Sequence, residues 1–309
     1  MEAKYDVLII TTARDFLRVK SNYHRLVENM PAGKLIFVGN AEVGQLAEEL
    51  NLGERVGFIH EDTVLPFGDV HTIMQELLQT KDVPRGITGW YYQQFLKMQY
   101  SRMCEDAYYL VWDGDTVPCN PIHMFGEDGK PFLDLKREYH EEYFVTLGKL
   151  LPGMHKCIEP SFISEHMLMN SEIMQNLIAD IMGNGQLSGA TFYERILRCI
   201  APEKLTSNSF SEFETYGTYV CFKYQNSYRL RNWHSFRYAG YFFKPEEMTD
   251  EDFEWLGRDF DALSFEKNHA VDEQYKDIFT KKEYREKLSA RQILEIVQEE
   301  AEEGHKEVW

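Results

Sequence analysis

An α/β fold, with a mostly parallel sheet flanked by helices, is what this chain predicts, and three observations predict it. Short runs of consecutive apolar residues recur through the N-terminal third. They alternate with segments of helical periodicity, the pattern of strands buried on both faces and linked by crossover helices. The apolar run 107–112 then stops in Asp113-Gly114-Asp115, and the C-terminal edge of such a sheet is where ligands bind.

The elements follow in order. Residues 6–10 read as the first buried strand, followed by the polar Thr11, Thr12, Ala13, Arg14 and Asp15. A helical stretch covers 16–28, a second strand 34–38, a helix 42–50, and a third strand 56–60 with Glu61 and Asp62 at its end. Thr88 can cap a helix starting near Trp90, in which Tyr91, Phe95 and Met98 share one face. Gln94 and Lys97, three residues apart, share another. They fit a ligand-facing edge or a core helix with two solvated polar residues. After the strand 107–112, Pro118 and Pro121 end regular structure, and 123–160 is poorly periodic. Residues 164–169 lead into a helix reaching Met182. If the block 209–217 is extended, Glu212 and Glu214 share a side and Phe213 faces the other way. Aromatic, strand-like sequence runs on to Phe243. Beyond Lys244-Pro245 acidic, Lys-rich helices are expected, the last one behind the capping box Ser289…Gln292 with Leu288, Ile293, Leu294 and Val297 apolar. The organisation expected is a domain over 1–245 and a helical C-terminal extension over 246–309.

Composition narrows the function. The 309 residues carry a net charge of −18 and no long Lys/Arg cluster, which excludes a nucleic acid polymer as partner. The five cysteines are odd in number and never spaced Cys-x-x-Cys, against a disulfide framework or structural zinc. There is no signal-peptide character at the N-terminus and no apolar run long enough for a bilayer. A reducing cytoplasm, including the inner face of the membrane, is the expected location. Nothing in the chain points to a particular oligomeric state.

Asp113 and Asp115 leave one point together, and Gly114 lets backbone or ligand come close. Mg²⁺ and Mn²⁺ prefer oxygen ligands and often take one or two from protein, the rest from water and phosphate. The tripeptide alone also suits an ordinary acidic turn. An acidic protein that binds a diphosphate must neutralise it locally, with a metal or with placed cations. Arg14, Arg85 and Lys97 precede the aspartates, and Arg237 and Lys244 follow them.

Four blocks carry a resemblance. Gly89-Trp90-Tyr91-Tyr92-Gln93-Gln94-Phe95-Leu96-Lys97, Tyr109 to Val117 around the aspartates, Ser164-Glu165-His166-Met167-Leu168 and Ser211-Glu212-Phe213-Glu214-Thr215-Tyr216-Gly217 occur in that order. Together they resemble a bacterial family of glycosyltransferase-like proteins catalogued as domain of unknown function 6492. The N-terminal β-α-β half, the aromatic helix and the strand ending in Asp113-Gly114-Asp115 resemble nucleotide-sugar glycosyltransferases of the Rossmann-related GT-A fold. The resemblance implies a metal-dependent transferase of hexosyltransferase type. It would move sugar from a nucleoside-diphosphate sugar to a hydroxyl of a glycan or lipid-linked acceptor, in bacterial surface polysaccharide synthesis. It further implies Thr11, Thr12, Arg14 and Asp15 near base and ribose, and Arg85 and Lys97 sharing the diphosphate charge. Asp113 would lie toward the ribose or a metal-bound water, and Asp115 would ligate Mn²⁺ or Mg²⁺. His234 is the late histidine that such enzymes recruit as a further metal ligand, with a structural histidine as its other reading. Glu165, Glu212 and Glu214 are candidates for the carboxylate base that an inverting transfer needs. Two rival readings stand beside this one. Asp113-Gly114-Asp115-Thr116-Val117 also resembles the first motif of haloacid-dehalogenase-like phosphatases, although that motif normally opens its domain. A non-catalytic relative would bind nucleotide sugar without turnover.

Overall fold

The structure, a computed structural model, describes residues 4–31, 33–271 and 278–300, with side chains as far as residue 295. Among the described residues the strands are, in chain order, β1 (Tyr5–Ile10), β2 (Leu35–Gly39), β3 (Val56–His60), β4 (Tyr108–Trp112), β5 (Thr116–Pro118), β6 (Phe132–Leu135), β7 (His166–Asn170), β8 (Arg229–Asn232), β9 (Ser235–Phe236) and β10 (Ala262–Ser264). The main sheet has the order β3-β2-β1-β4-β7. Its pairings are parallel except that of β7 with β4. β1, β2 and β4 read as near-continuous apolar runs because the sheet is covered on both faces there, whereas β3 at the edge is only half-buried, with Phe58 exposed. Val7 and Ile9 join one apolar cluster with Phe37, Leu110 and Trp112, while Leu8 joins a second with Val38, Tyr109 and Val111. No helix among the described residues is long and apolar enough to cross a membrane.

The order matters for function. From β1 the chain builds outward through β2 to β3, then returns to the other side of β1 with β4. The strand order reverses between β1 and β4, and in open α/β sheets ligands bind in the crevice at the carboxyl ends of two such strands. Thr11 follows one of these ends and Asp113 the other.

Four expectations about elements are corrected. The helix expected to start near Trp90 under a Thr88 cap begins at Arg85 after Pro84, and Thr88 lies buried inside it. The stretch 16–28 is not one helix but Ala13–Val19, a 3₁₀ turn Lys20–Asn22, and Tyr23–Asn29. The block around Glu212 is not extended: Ser211 accepts the Glu214 amide as N-cap of the helix Glu212–Lys223. Its Ser-x-x-Glu spacing is a helix-start signature that outweighs strand-like alternation. The segment after Pro245 is not purely helical. The helix Asp250–Leu256 is followed by β10, which lies between β5 and β9. Phe253, Trp255, Leu263, Ile293 and Leu294 are buried in the same cluster as β1. That burial holds the C-terminal segment on the sheet. Leu288 packs against that cluster as well, whereas Val297 lies outside the described side chains.

Candidate functional site

Backbone contacts from three directions fix the end of β4. The Asp113 amide donates to the Glu165 carbonyl (2.9 Å), the Gly114 carbonyl accepts from the Tyr23 hydroxyl (2.9 Å), and the Asp115 carbonyl accepts from the Phe265 amide (2.9 Å). Gly114 sits in close approach to β1 and the residue after it. A Cβ there would lie 3.1 Å from Thr11 Cβ and 3.3 Å from Ile9 Cγ2. Glu165 itself has φ of 61°, a left-handed conformation costing a non-glycine residue roughly 1–2 kcal/mol. Its carboxylate Oε2 accepts from Trp233 Nε1 (3.1 Å) and Ser235 Oγ (3.0 Å). Those bonds hold the side chain where its backbone has set it.

These residues open onto a cleft of about 310 Å³, at the small end of ligand sites, roughly 300–1,000 Å³. Thr11 and the aromatic Trp90 line it, with Gln93 one turn further along the helix Arg85–Gln99. Five carboxyl groups face it (Asp15, Asp113, Asp115, Glu165, Glu266) against three cations (Arg18, Arg237, Lys267), so acidic groups outnumber basic ones by two. Burial pushes the Asp115 carboxyl up to about 7, with Asp113 and Glu266 adding repulsion and Arg18 pulling the other way. Such a carboxyl lacks a positive partner of its own. A divalent cation matches the excess, and the donor set suits one that keeps sites for water and phosphate. Among the described residues no three His, Cys, Asp or Glu converge on one point. A cation seated here would draw at most two protein carboxylates and take its remaining ligands from water and phosphate, as Mg²⁺-type ions can.

The predicted residues divide in their placement. Thr11, Asp15, Asp113, Asp115 and Glu165 line the cleft together with Arg237. Lys97 does not: it is 5% exposed and bridges Asp113 Oδ1 (3.0 Å) and Glu212 Oε1 (2.8 Å) from behind. Burial alone would lower its pKa, but Asp113 and Glu212 together raise it, so it stays charged. Gln94 is also buried and accepts the Glu212 amide through Oε1 (3.0 Å). The solvated polar pair expected on this helix is thus an internal brace. Glu214 turns away to accept from Ser161 Oγ (2.6 Å), and burial raises its pKa against that bond. Thr12 caps the helix Ala13–Val19, Arg14 is exposed without lining the cleft, and Arg85 pairs with Glu61 over the Phe67 ring. His234 lines a different cleft, so the expectation of it as a ligand beside Asp115 is corrected.

Sequence reasoning missed Arg18, Trp90, Gln93, Ser264, Glu266, Lys267 and Asn268 as cleft residues. Arg18 was within reach, since it stands one helical turn from Asp15 and pairs with it (2.7 Å). The group 264–268 arrives through β10, whose Ser264 meets Thr116 Oγ1 at 2.8 Å across 148 residues. No local pattern announces such a contact. Behind Glu165, His166 Nε2 bonds buried Asp134 (2.8 Å), which also accepts two bonds from Arg231 (2.6 and 2.7 Å). Burial alone would raise the Asp134 pKa, but the bonds from Arg231 and His166 hold it below the usual carboxylate range.

Residues 29–297 match the profile of the family of unknown function DUF6492. No curated protein matches the chain. Among solved structures, the chain is similar to mouse xyloside xylosyltransferase 1, at 12% identity over 87% of this chain and 100% of that one, TM-score 0.43. It is also similar to the galactosyltransferase LgtC in complex with donor and acceptor sugar analogues (12% identity, 92% and 100% covered, TM-score 0.44). A third is the S. cerevisiae mannosyltransferase Ktr4p in complex with GDP (10% identity, 74% and 69% covered, TM-score 0.43). Likenesses this distant leave the chemistry to be argued from the cleft itself.

Proposed function

We propose, from the premise that this chain belongs to the family of unknown function DUF6492, that it is a metal-dependent glycosyltransferase using a nucleoside-diphosphate sugar. The observation that carries the reading is the aspartate pair. Asp113 and Asp115 stand at the switch point between β1 and β4, in a cleft with two more carboxyl groups than cations. A site of that charge repels a free diphosphate and accepts one that arrives with a divalent cation. A cation held by Asp115 and Asp113 would supply Lewis-acid stabilisation of the departing diphosphate.

The chain's own residues supply the remainder. Trp90 lines the cleft as an aromatic partner for the base, and Asp15 and Thr11 line it as oxygens for the ribose. Arg18 and Lys267 share the charge that grows on the leaving group. Lys97 neutralises part of Asp113 from behind and fixes its rotamer. Glu165 has Oε2 engaged by Trp233 and Ser235, which leaves Oε1 for the acceptor hydroxyl. In the transfer the anomeric C–O bond to the diphosphate breaks and a bond from the acceptor oxygen to the anomeric carbon forms. The acceptor's proton passes to Glu165, and the nucleoside diphosphate leaves with the bonding pair. Glu212, paired with Lys97, and Glu214, bonded to Ser161, are braces in this reading.

Calorimetry of UDP and GDP, each with Mn²⁺ and with chelator, tests it. Binding of one nucleotide that depends on Mn²⁺ supports the assignment. Equal binding in chelator, or none in either condition, refutes it.

A further inference from the structure

We propose that a second cleft, linked to the first by the bonds of Glu165 to Trp233 and Ser235 and of Arg237 to Glu138, seats an acidic saccharide. On the reading of function given above, that saccharide is the acceptor.

This cleft measures about 980 Å³, against about 310 Å³ for the first. It lies at the carboxyl ends of the parallel pair β6 and β8, where Lys136 and Arg137 follow one strand and Trp233, His234 and Ser235 follow the other. Its charge is opposite to that of the first cleft. Lys136, Arg137 and Arg291 line it with His234, against Glu138 and Glu159. Glu138 is engaged by Arg237 Nη1 (2.7 Å), and cations of the recess are held as well, Lys136 by Ser235 Oγ (2.9 Å) and Arg291 by the Asp259 carbonyl (3.3 Å). A basic recess in a chain of net charge −18 selects anions locally, and it can do so with no metal. A saccharide fits better than a bare anion because of Tyr139. That side chain is 62% exposed, and its ring lies against Phe144 (5.9 Å between centroids, 14° between planes). A flat ring held open to solvent is a platform for the C–H face of a pyranose.

The link to chemistry is a chain of hydrogen bonds. Lys136 Nζ donates to Ser235 Oγ (2.9 Å), and Ser235 Oγ donates to Glu165 Oε2 (3.0 Å). Trp233, on the wall of the second cleft, donates to the same oxygen. Arg237 reaches across as well, lining the first cleft while bonding Glu138 on the second. A sugar anchored by its anion near Lys136 and Arg137 therefore lies one residue away from the carboxylate that faces the donor.

Calorimetry on the full chain tests this with three probes, digalacturonate, glucose 6-phosphate and neutral maltose. Wild type is compared with Arg137→Gln/His234→Gln and with Tyr139→Ala, all exposed positions outside the donor cleft. At least one acidic probe is expected to bind about tenfold tighter than maltose at about 50 mM salt, with the margin shrinking at about 500 mM. The double variant removes that margin, and Tyr139→Ala weakens all saccharides. Which acidic probe wins tells a carboxylate from a phosphate ester. Equal binding of the three probes, no binding of any, or unchanged acidic binding in both variants would overturn the proposal. A parallel titration with UDP or GDP and Mn²⁺ separates the two readings. It reports on the aspartate cleft alone, and its failure leaves the saccharide result to decide the second cleft.

Discussion

Replacing Lys97 by methionine isolates the brace behind the aspartates. Methionine keeps most of the length and removes the charge. Lys97 and Glu212 have side chains only 6% and 5% exposed, so the variant leaves the Glu212 carboxylate buried without its counter-charge. Breaking a buried pair in this way costs about 3–5 kcal/mol. Asp113, with 34% of its side chain exposed, is partly screened by water and adds little. At roughly 2 cal/mol/K of unfolding entropy per residue, a chain of this length loses roughly 1.5 °C per kcal/mol, so the melting point falls by roughly 5–8 °C. Scanning calorimetry reads the drop directly. Adding Glu212→Leu removes the orphaned charge and should restore about half of the loss. A single variant melting within about 1 °C of wild type would refute the reasoning, because 1 °C is far below the cost of one orphaned buried charge.

Two further predictions concern the reactive carboxylate and the network behind it. Glu165→Gln keeps the bonds from Trp233 and Ser235 but cannot take a proton; transfer should fall about 10²–10⁴-fold, with nucleotide affinity unchanged by calorimetry. A loss under about threefold would remove Glu165 from the reaction. Asp134 is held below the usual carboxylate range in the fold, so its contribution to stability is present above its unfolded value, about 3.9. That contribution is lost as pH falls through the lower, folded value. Asp134→Asn should therefore melt lower than wild type at pH 7 and lose less on acidification from about pH 5 to pH 3. Parallel melting curves for the two proteins across that range would contradict the assignment.

Much of the fold was legible in the sequence because burial on both faces leaves a plain trace. β3 lies where its apolar run does, and β1, β2 and β4 begin or end within a residue of theirs. β7 was harder to see, since its antiparallel pairing at the edge follows a loop rather than a helical crossover. The helices Phe67–Leu77 and Phe192–Cys199 drew no expectation, and Glu141–Leu150 lies in the stretch 123–160 that reads as poorly periodic. The aspartate pair was visible because strand, turn and carboxylates are contiguous. Its surroundings were not. Whether Lys97 faces ligand or the back of Asp113 depends on the angle at which its helix crosses β4, which periodicity leaves open. The third side of the cleft depends on β10, and contacts at such separation are set by the whole topology rather than by neighbours in the chain. His234 shows the converse error. Its place in chain order suggested a ligand, yet β8 and β9 carry it to the basic cleft.

The central claim is that Asp115 holds the cation on which sugar transfer depends. The most direct measurement is release of nucleoside diphosphate from a panel of nucleotide sugars, with Mn²⁺ and with chelator, by wild type and Asp115→Asn. The account predicts release from one donor that stops in chelator and falls at least about 10²-fold in the variant, the scale on which losing one electrostatic stabiliser acts. Release that persists in chelator, or full Mn²⁺-dependent release by Asp115→Asn, would contradict it.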